Sequence, residues 1–323
     1  MKAIVQEKFG SPGDVLEFKE IDKPVIEDDE VLVRVHAASI HIGDSYLMRG
    51  VPYLMRPVFS LSSRAKNRVP GTDIAGTVEA VDKSVTHLRS GDEVFGWCRG
   101  AFAEYVSVSE DALALKPANF TFEQAAAVGV SAFAALQALR DQGKVQPGHK
   151  VLITGASGGV GTFAVQIAKS LGAEVTGVCS TRNVDMVRSI GADQVIDYTQ
   201  DDFTKGEQRY DLILDNVGNH SLSDMRAALT PDGTLLANGA PISGWVRGLG
   251  RPAAALVSSL FVPQQGRPFV SLPNREDLAT LKELAETEKI TPVIDQTYPL
   301  SQTPEAMAHV GEGHAQGKTI VTV

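Results

Sequence analysis

The sequence predicts an α/β protein of two parts: a β-rich, barrel- or sandwich-like domain and a doubly wound parallel sheet. Three observations predict it. Short β-branched and apolar runs separated by turn residues fill the first 120 residues. From residue 150 onward strand-like and helix-like patterns alternate, the rhythm of parallel strands joined by helices. A glycine-rich loop joins the first of those strands to the first of those helices. The length, 323 residues, suits two domains at roughly 150 residues each.

In chain order, residues 3–5, 31–35 and 75–81 read as strands. Gly10-Ser11-Pro12-Gly13, Gly71-Thr72-Asp73 and Ser90-Gly91-Asp92 are the turns between such runs. Thr121 with Gln124 forms a capping box that opens an Ala-rich helical run. Residues 151–154 are a strand. Residues 159–171 are a helix with Val160, Phe163, Ala164, Ile167 and Ala168 on one face. A strand at 174–178, a helix at 184–190 and strands at 194–196, 211–214 and 234–237 follow. Gly, Pro and Ser crowd 239–267, within which 253–262 is apolar. That run reads as a lid over an acceptor site, or as a buried helix or dimer contact. A helix at 274–287 and a strand at 318–323 complete the chain.

Composition narrows the function. Hydrophobic residues at 43% and charged residues at 21% exclude global disorder. The net charge is −9 and no Lys/Arg block exceeds two residues, so no nucleic-acid partner is expected. Two cysteines, Cys98 and Cys179, exclude a disulfide scaffold and a four-cysteine zinc site. The start, MKAIVQEKFG, lacks a signal peptide's apolar core, and the most apolar stretch, 125–139, is short for a bilayer. A cytoplasmic location without membrane insertion is therefore the expectation.

The strongest motif is Thr154-Gly155-Ala156-Ser157-Gly158-Gly159-Val160-Gly161. Glycines permit the tight turn, and the following helix start offers unpaired N–H groups to a pyrophosphate. As T-G-x-x-x-G-x-G it would suit a short-chain dehydrogenase. Those enzymes carry the loop near the N-terminus with a Tyr-x-x-x-Lys pair. Here the loop is mid-chain and none of the six tyrosines has Lys four positions on.

Further landmarks are Val31-Leu32-Val33-Arg34-Val35-His36-Ala37-Ala38-Ser39, Pro70-Gly71-Thr72-Asp73-Ile74-Ala75-Gly76-Thr77-Val78, Gly91-Asp92-Glu93-Val94-Phe95-Gly96, Gly100-Ala101-Phe102-Ala103-Glu104-Tyr105-Val106 and Gln166-Ile167-Ala168-Lys169. On these the chain resembles the medium-chain dehydrogenase/reductase superfamily, in its zinc-independent quinone oxidoreductase and enoyl reductase branch. The resemblance implies a chaperonin-10-like β-barrel domain from 1–122 with 273–323, and a Rossmann domain at 123–272. It implies a cleft between them, a C-terminal strand returning to the first domain, and it allows a homodimer.

The cofactor is expected to be NADPH. An NAD enzyme places an acid about 20 residues beyond the loop to bind the ribose 2′-OH. Here that stretch reads Val178-Cys179-Ser180-Thr181-Arg182, with no acid and one cation. A 2′-phosphate calls for cations and hydroxyls. Ser180 and Arg182 are candidates to hold it, and Ala156, Ser157, Gly158, Gly159 and Val160 are candidates to bind the cofactor along the glycine loop. The resemblance adds Tyr198 beside the 2′-phosphate, Asn216 and Val217 near the nicotinamide ribose, and Ser131 as the hydroxyl beside the nicotinamide.

No metal is expected. Catalytic zinc needs three protein ligands. The first cysteine of the zinc relatives would fall within 38–44, where there is none, and their Gly-His-Glu reads Gly71-Thr72-Asp73 here. His41 and Asp73 make at most a pair. The zinc-free relatives carry Ser-x-Asn-x-x-Asp, here Ser39-Ile40-His41-Ile42-Gly43-Asp44. Asp44 keeps the motif's acid on the cofactor side, and His41 replaces the asparagine. His41 therefore reads either as a hydrogen-bond donor or general acid to a substrate carbonyl, or as a neutral histidine satisfied by Asp44 or backbone. Tyr53 approximates a tyrosine that enoyl reductases of this branch use as proton donor.

The reaction implied is hydride transfer from NADPH to a quinone or to the C=C of a small hydrophobic α,β-unsaturated carbonyl. Two other readings stay open: an NADPH-binding sensor or scaffold without turnover, and a zinc-dependent alcohol dehydrogenase.

Overall fold

The structure is a computed structural model that describes residues 1–51, 56, 68–238, 265–268 and 271–323. Tyr53 and the apolar run at 253–262 lie outside the described residues. Packing divides the chain into Met1–Phe133 with Pro273–Val323, and Ala134–Leu272.

The first unit begins with β1 (Lys2–Gln6) and β2 (Leu16–Glu20), an antiparallel pair. Then come β3 (Glu30–Ile40), α1 (Ile42–Arg49), β4 (Asp73–Val81), β5 (Glu93–Trp97), β6 (Tyr105–Ser109) and β7 (Leu113–Leu115). Alternation of inward Val31, Val33 and Val35 in β3 marks a half-buried strand, and these valines enter the core with Ile74, Val78, Val94 and Phe102.

Helix α2 (Phe122–Gln137) opens with the expected capping box. The Thr121 N–H donates to Gln124 Oε1 at 3.0 Å, and the Gln124 N–H donates to Thr121 Oγ1 at 3.3 Å. The helix kinks at Gly129, whose backbone is non-helical there. A Cβ at Gly129 would lie 2.1 Å from Asp73 Cγ, so only glycine lets the helix rest against that carboxylate. The helix has lost its i−4 acceptor at the kink, and Asp73 Oδ1 accepts the Val130 N–H at 2.9 Å in its place. The boundary expected at residue 122 lies at 133 by packing, inside α2. The reason is that Asp73, Lys318 and Trp97 of the first unit hold Val130, Ser131 and Phe133.

The helical run from Phe122 to Gln142 is 21 residues, long and apolar enough by length and composition to cross a membrane. This corrects the expectation of a short stretch: the cap turn and a final wide turn, Ala138–Gln142, extend 125–139 at both ends. In the folded chain 78% of its most apolar window is buried, as in a core helix.

The second unit alternates β8 (Lys150–Thr154), α3 (Gly159–Ser170), β9 (Glu174–Cys179), α4 (Val184–Ser189), β10 (Gln194–Asp197), β11 (Tyr210–Asp215), α5 (Leu222–Ala227), β12 (Leu229–Ala237) and β13 (Gln265–Pro268). All strand pairs are parallel, in the order β10-β9-β8-β11-β12-β13. This is the doubly wound dinucleotide-binding order, and its switch point lies between β8 and β11.

The chain then returns to the first unit through α6 (Arg275–Glu286), β14 (Ile294–Pro299), α7 (Thr303–Gly311) and β15 (Lys318–Thr322). Strand β15 pairs antiparallel with β3, Thr319 opposite Ile40 and Val321 opposite Ala38. The first unit's large sheet runs β14-β15-β3-β4-β5-β7, with β6 also on β3.

Candidate functional site

At the switch point of the second unit, Thr154 ends β8 opposite Asp215, which ends β11. Thr154 Oγ1 donates to Asp215 Oδ1 at 2.8 Å and accepts the Asn216 N–H at 3.0 Å. Asp215 Oδ1 also accepts the Gly218 N–H at 3.0 Å, so the carboxylate folds the Asp215-Asn216-Val217-Gly218 turn around itself. Asn216 is held at both ends of its amide. It donates to the Thr154 carbonyl at 3.0 Å and accepts from Asn238 Nδ2 at 2.7 Å. Val217 is exposed beside it.

The glycine loop has the dimensions a pyrophosphate needs. A Cβ at Gly161 would meet the Gly155 carbonyl oxygen at 2.0 Å, so glycine is what brings α3 against the loop. Gly158 is the N-cap and no side chain satisfies the α3 N-terminus. The N–H groups of Gly159 and Val160 therefore remain for an anion. Ala156 is buried, whereas Ser157 and Gly158 are partly accessible.

Beyond β9, Ser180 is partly accessible and Arg182 and Tyr198 are exposed. Two residues here carry no signal in the sequence. Asn183 is 4% exposed, and its Nδ2 donates to Ser157 Oγ at 2.9 Å and Ser180 Oγ at 3.3 Å. Asp197, at the end of β10, accepts from Thr181 Oγ1 at 2.6 Å and the Thr199 N–H at 3.0 Å. Those hydrogen bonds, led by Thr181, hold its carboxyl below the usual range. An acid thus stands beside the end of β9, at the last position of β10, where Asp197 pairs with Cys179.

The first unit holds a second polar network. His41 is the N-cap of α1. Its Nδ1 accepts the Gly43 N–H at 2.9 Å, which assigns the neutral ring's proton to Nε2. Nε2 then donates to Thr72 Oγ1 at 2.9 Å, and Thr72 donates to Asp44 Oδ1 at 3.4 Å. Asp44 Oδ2 accepts the His41 N–H at 3.0 Å. Burial pushes the Asp44 carboxyl up, and the hydrogen bond it accepts from the His41 N–H pulls it back down. Both His41 ring nitrogens are therefore engaged in capping, with Asp44 rather than Asp73 as its acid.

Asp73 organises a different cluster and is fully buried. Its Oδ2 accepts from Ser39 Oγ at 3.0 Å and lies 3.4 Å from Lys318 Nζ. Lys318, 1% exposed, also donates to Ser131 Oγ at 3.1 Å. Ser131 is thus bonded to a buried ammonium, and among the described residues its own proton has no acceptor. Among the described residues, no group of three or more His, Cys, Asp or Glu could hold a metal ion.

Residues 27–118 match the alcohol dehydrogenase GroES-like domain family, and 190–321 match a family described as zinc-binding dehydrogenase. The chain is 34% identical to the human NAD(P)H oxidoreductase RTN4IP1, mitochondrial, over 100% of its own length and 89% of that protein. It is 31% identical to the Arabidopsis thaliana NADPH-dependent alkenal/one oxidoreductase, chloroplastic, covering 99% and 79%. Its fold is similar to that of the Escherichia coli quinone oxidoreductase complexed with NADPH, at TM-score 0.85, 25% identity and full coverage of both chains. The chain belongs to the medium-chain dehydrogenase/reductase superfamily, in its quinone oxidoreductase branch.

Thr72, in the Gly71-Thr72-Asp73 stretch, has its hydroxyl bonded between His41 and Asp44. Cys98 is buried, and burial, followed by the charges of Asp73 and Asp44, pushes its thiol well up. The Cys179 thiol is pushed up to about 11 by burial and by Asp197.

Two expected outcomes follow from these networks. Lys318→Met leaves Asp73 buried without its cation and lowers unfolding free energy by about 3–5 kcal/mol, measured by urea denaturation. Adding Asp73→Asn restores part of that loss, since the uncompensated charge is gone. At pH 8 roughly one Cys179 in a thousand is thiolate, so native protein resists iodoacetamide; labelling accelerates as pH approaches 11, not 9. Mass spectrometry across a pH series reads this directly.

Proposed function

We propose that this protein is a metal-free, NADPH-dependent reductase that transfers hydride to a quinone or to the C=C of an α,β-unsaturated carbonyl. The observation that carries the metal-free reading is the His41–Thr72–Asp44 network. A threonine hydroxyl is a poor zinc ligand beside thiolate and imidazole. The His41 Nδ1 lone pair is already taken by the Gly43 N–H, and the proton on Nε2 by Thr72. The oxidoreductase assignment is supported by the human, Arabidopsis and Escherichia coli proteins, whose names give NAD(P)H- or NADPH-dependent and quinone oxidoreductase activities.

The second unit's residues fit NADPH. The Gly159 and Val160 amides are open to a pyrophosphate, Asn216 and Val217 stand at the switch point, and Ser180 and Arg182 suit a 2′-phosphate. When bound, that cofactor supplies the hydride. The chain's own part is orientation and a hydrogen bond to the oxygen that gains charge in the acceptor. Ser131 is suited to donate, because Lys318 occupies its oxygen and leaves its proton outstanding. His41 can give up a proton only by releasing Thr72, so its first role is to hold the start of α1. Tyr53 is the remaining candidate donor of the sequence.

The test is nicotinamide oxidation in EDTA against enones, enoyl thioesters and quinones, with NADH in parallel. Turnover with NADPH in EDTA is the expected result. Activity that requires about one bound metal per chain would overturn the metal-free reading. In the same assay Arg182→Ala raises KM for NADPH about 10-fold, or about 1.4 kcal/mol, and leaves KM for NADH nearly unchanged. Equal losses would remove Arg182 from the 2′-phosphate site.

A further inference from the structure

We infer that Asn183 is a specificity-determining residue: its carboxamide sets the hydrogen-bond polarity of Ser157 and Ser180 so that both hydroxyls donate to the 2′-phosphate of NADPH. The inference rests on NADPH being the cofactor and names a residue that the sequence motif does not contain.

A serine hydroxyl has one proton to give and lone pairs to receive. The amide nitrogen of Asn183 has two protons. One goes to Ser157 Oγ at 2.9 Å, the other to Ser180 Oγ at 3.3 Å. Both serine oxygens are thereby acceptors toward Asn183. Among the described residues neither serine proton has an acceptor. These are two fixed donors with nothing in this part of the chain to receive them.

The two serines come from different elements. Ser157 belongs to the glycine loop after β8, and Ser180 follows β9. Adjacent parallel strands bring their ends together, with Thr154 opposite Val178. Asn183, buried at the start of α4, spans the two loops and fixes the separation of the hydroxyls. A phosphate dianion offers only acceptor oxygens, so paired donors suit it and paired acceptors repel it. A ribose 2′-OH carries its own proton and gains less from two donors. Charge also matters here. Asp197 lies close by through Thr181, and its carboxylate opposes a phosphate. Donors oriented by a neutral amide offset that repulsion without adding another charge.

The substitution that inverts polarity is Asn183→Asp. It keeps the shape but can only accept, so both serine protons turn inward. Asn183→Ala removes the donors without taking the protons. Binding is measured by calorimetry on the full chain with adenosine 2′,5′-bisphosphate and with AMP, which differ only in the 2′-phosphate. The ratio of the two affinities is the readout, and thermal melts confirm folding. The expected preference for the bisphosphate falls in the order wild type, Asn183→Ala, Asn183→Asp. The Asp variant loses about 100-fold in that ratio and AMP affinity changes little. Ser157→Ala and Ser180→Ala each lower the ratio about 10-fold, which tests the donors should the Asp variant not fold.

Three results would overturn the inference, and they separate its causes. If wild type shows no preference for the bisphosphate, the NADPH reading fails and the inference falls with it. If wild type shows the preference and the Asn183 variants weaken both ligands equally, Asn183 is structural only. If the preference survives both the Asn183 and the serine substitutions, the 2′-phosphate is held without this clamp.

Discussion

The first unit is organised around one buried carboxylate. Asp73 starts β4, accepts from Ser39 of β3 and the Val130 N–H of α2, and pairs with Lys318 at the start of β15. Four segments far apart in sequence meet at these two oxygens. The geometry follows from strand order: β15 and β4 flank β3, with Asp73 opposite Ser39 and Lys318 starting β15 just beyond the Thr319–Ile40 pair. A charge removed from water tolerates few arrangements, since a lost partner costs several kcal/mol. The pair thus specifies where the C-terminal strand docks and where α2 must break. Gly129 is the condition for that contact, because any side chain there would occupy the carboxylate's place.

The same cluster shapes chemistry at Ser131. A serine free in solvent donates or accepts with equal ease. Beside an ammonium one lone pair of its oxygen is taken by the cation, and its proton stays available for donation. Asn183 acts in the same manner on Ser157 and Ser180, using a neutral amide in place of a cation. In both units a buried group donates to a serine oxygen and leaves the hydroxyl proton outside that bond.

His41 shows why a residue type at a motif position does not define its role. Histidine in place of asparagine reads as an acid-base candidate, and the alternative, a histidine satisfied by its surroundings, reads equally well. The structure places Nδ1 on the Gly43 N–H and Nε2 on Thr72, with Asp44 closing the capping box. Thr72 takes part because its hydroxyl accepts from His41 Nε2 and donates to Asp44 Oδ1.

The pattern of the chain alone determined much of this protein. Strand and helix alternation from β8 to β12, the glycine loop, the Thr121–Gln124 cap and the strand pattern of the C-terminal tail were legible, since each rests on local periodicity, turn chemistry or a contiguous motif, while the return of that tail to the first unit came from the family resemblance. The helix α1, the strand β14 and the helix α7 carried weaker signals, being short or mixed in polarity. The apolar run at 125–139 showed its hydrophobicity but not its full helical length, because the turns that extend it are polar. Only the tertiary structure decided which polar atoms meet. Asp73 and Lys318 are 245 residues apart, and Asn183 reaches Ser157 across 26. Such contacts depend on strand order and register, which bring together residues whose own neighbours in sequence say nothing of one another.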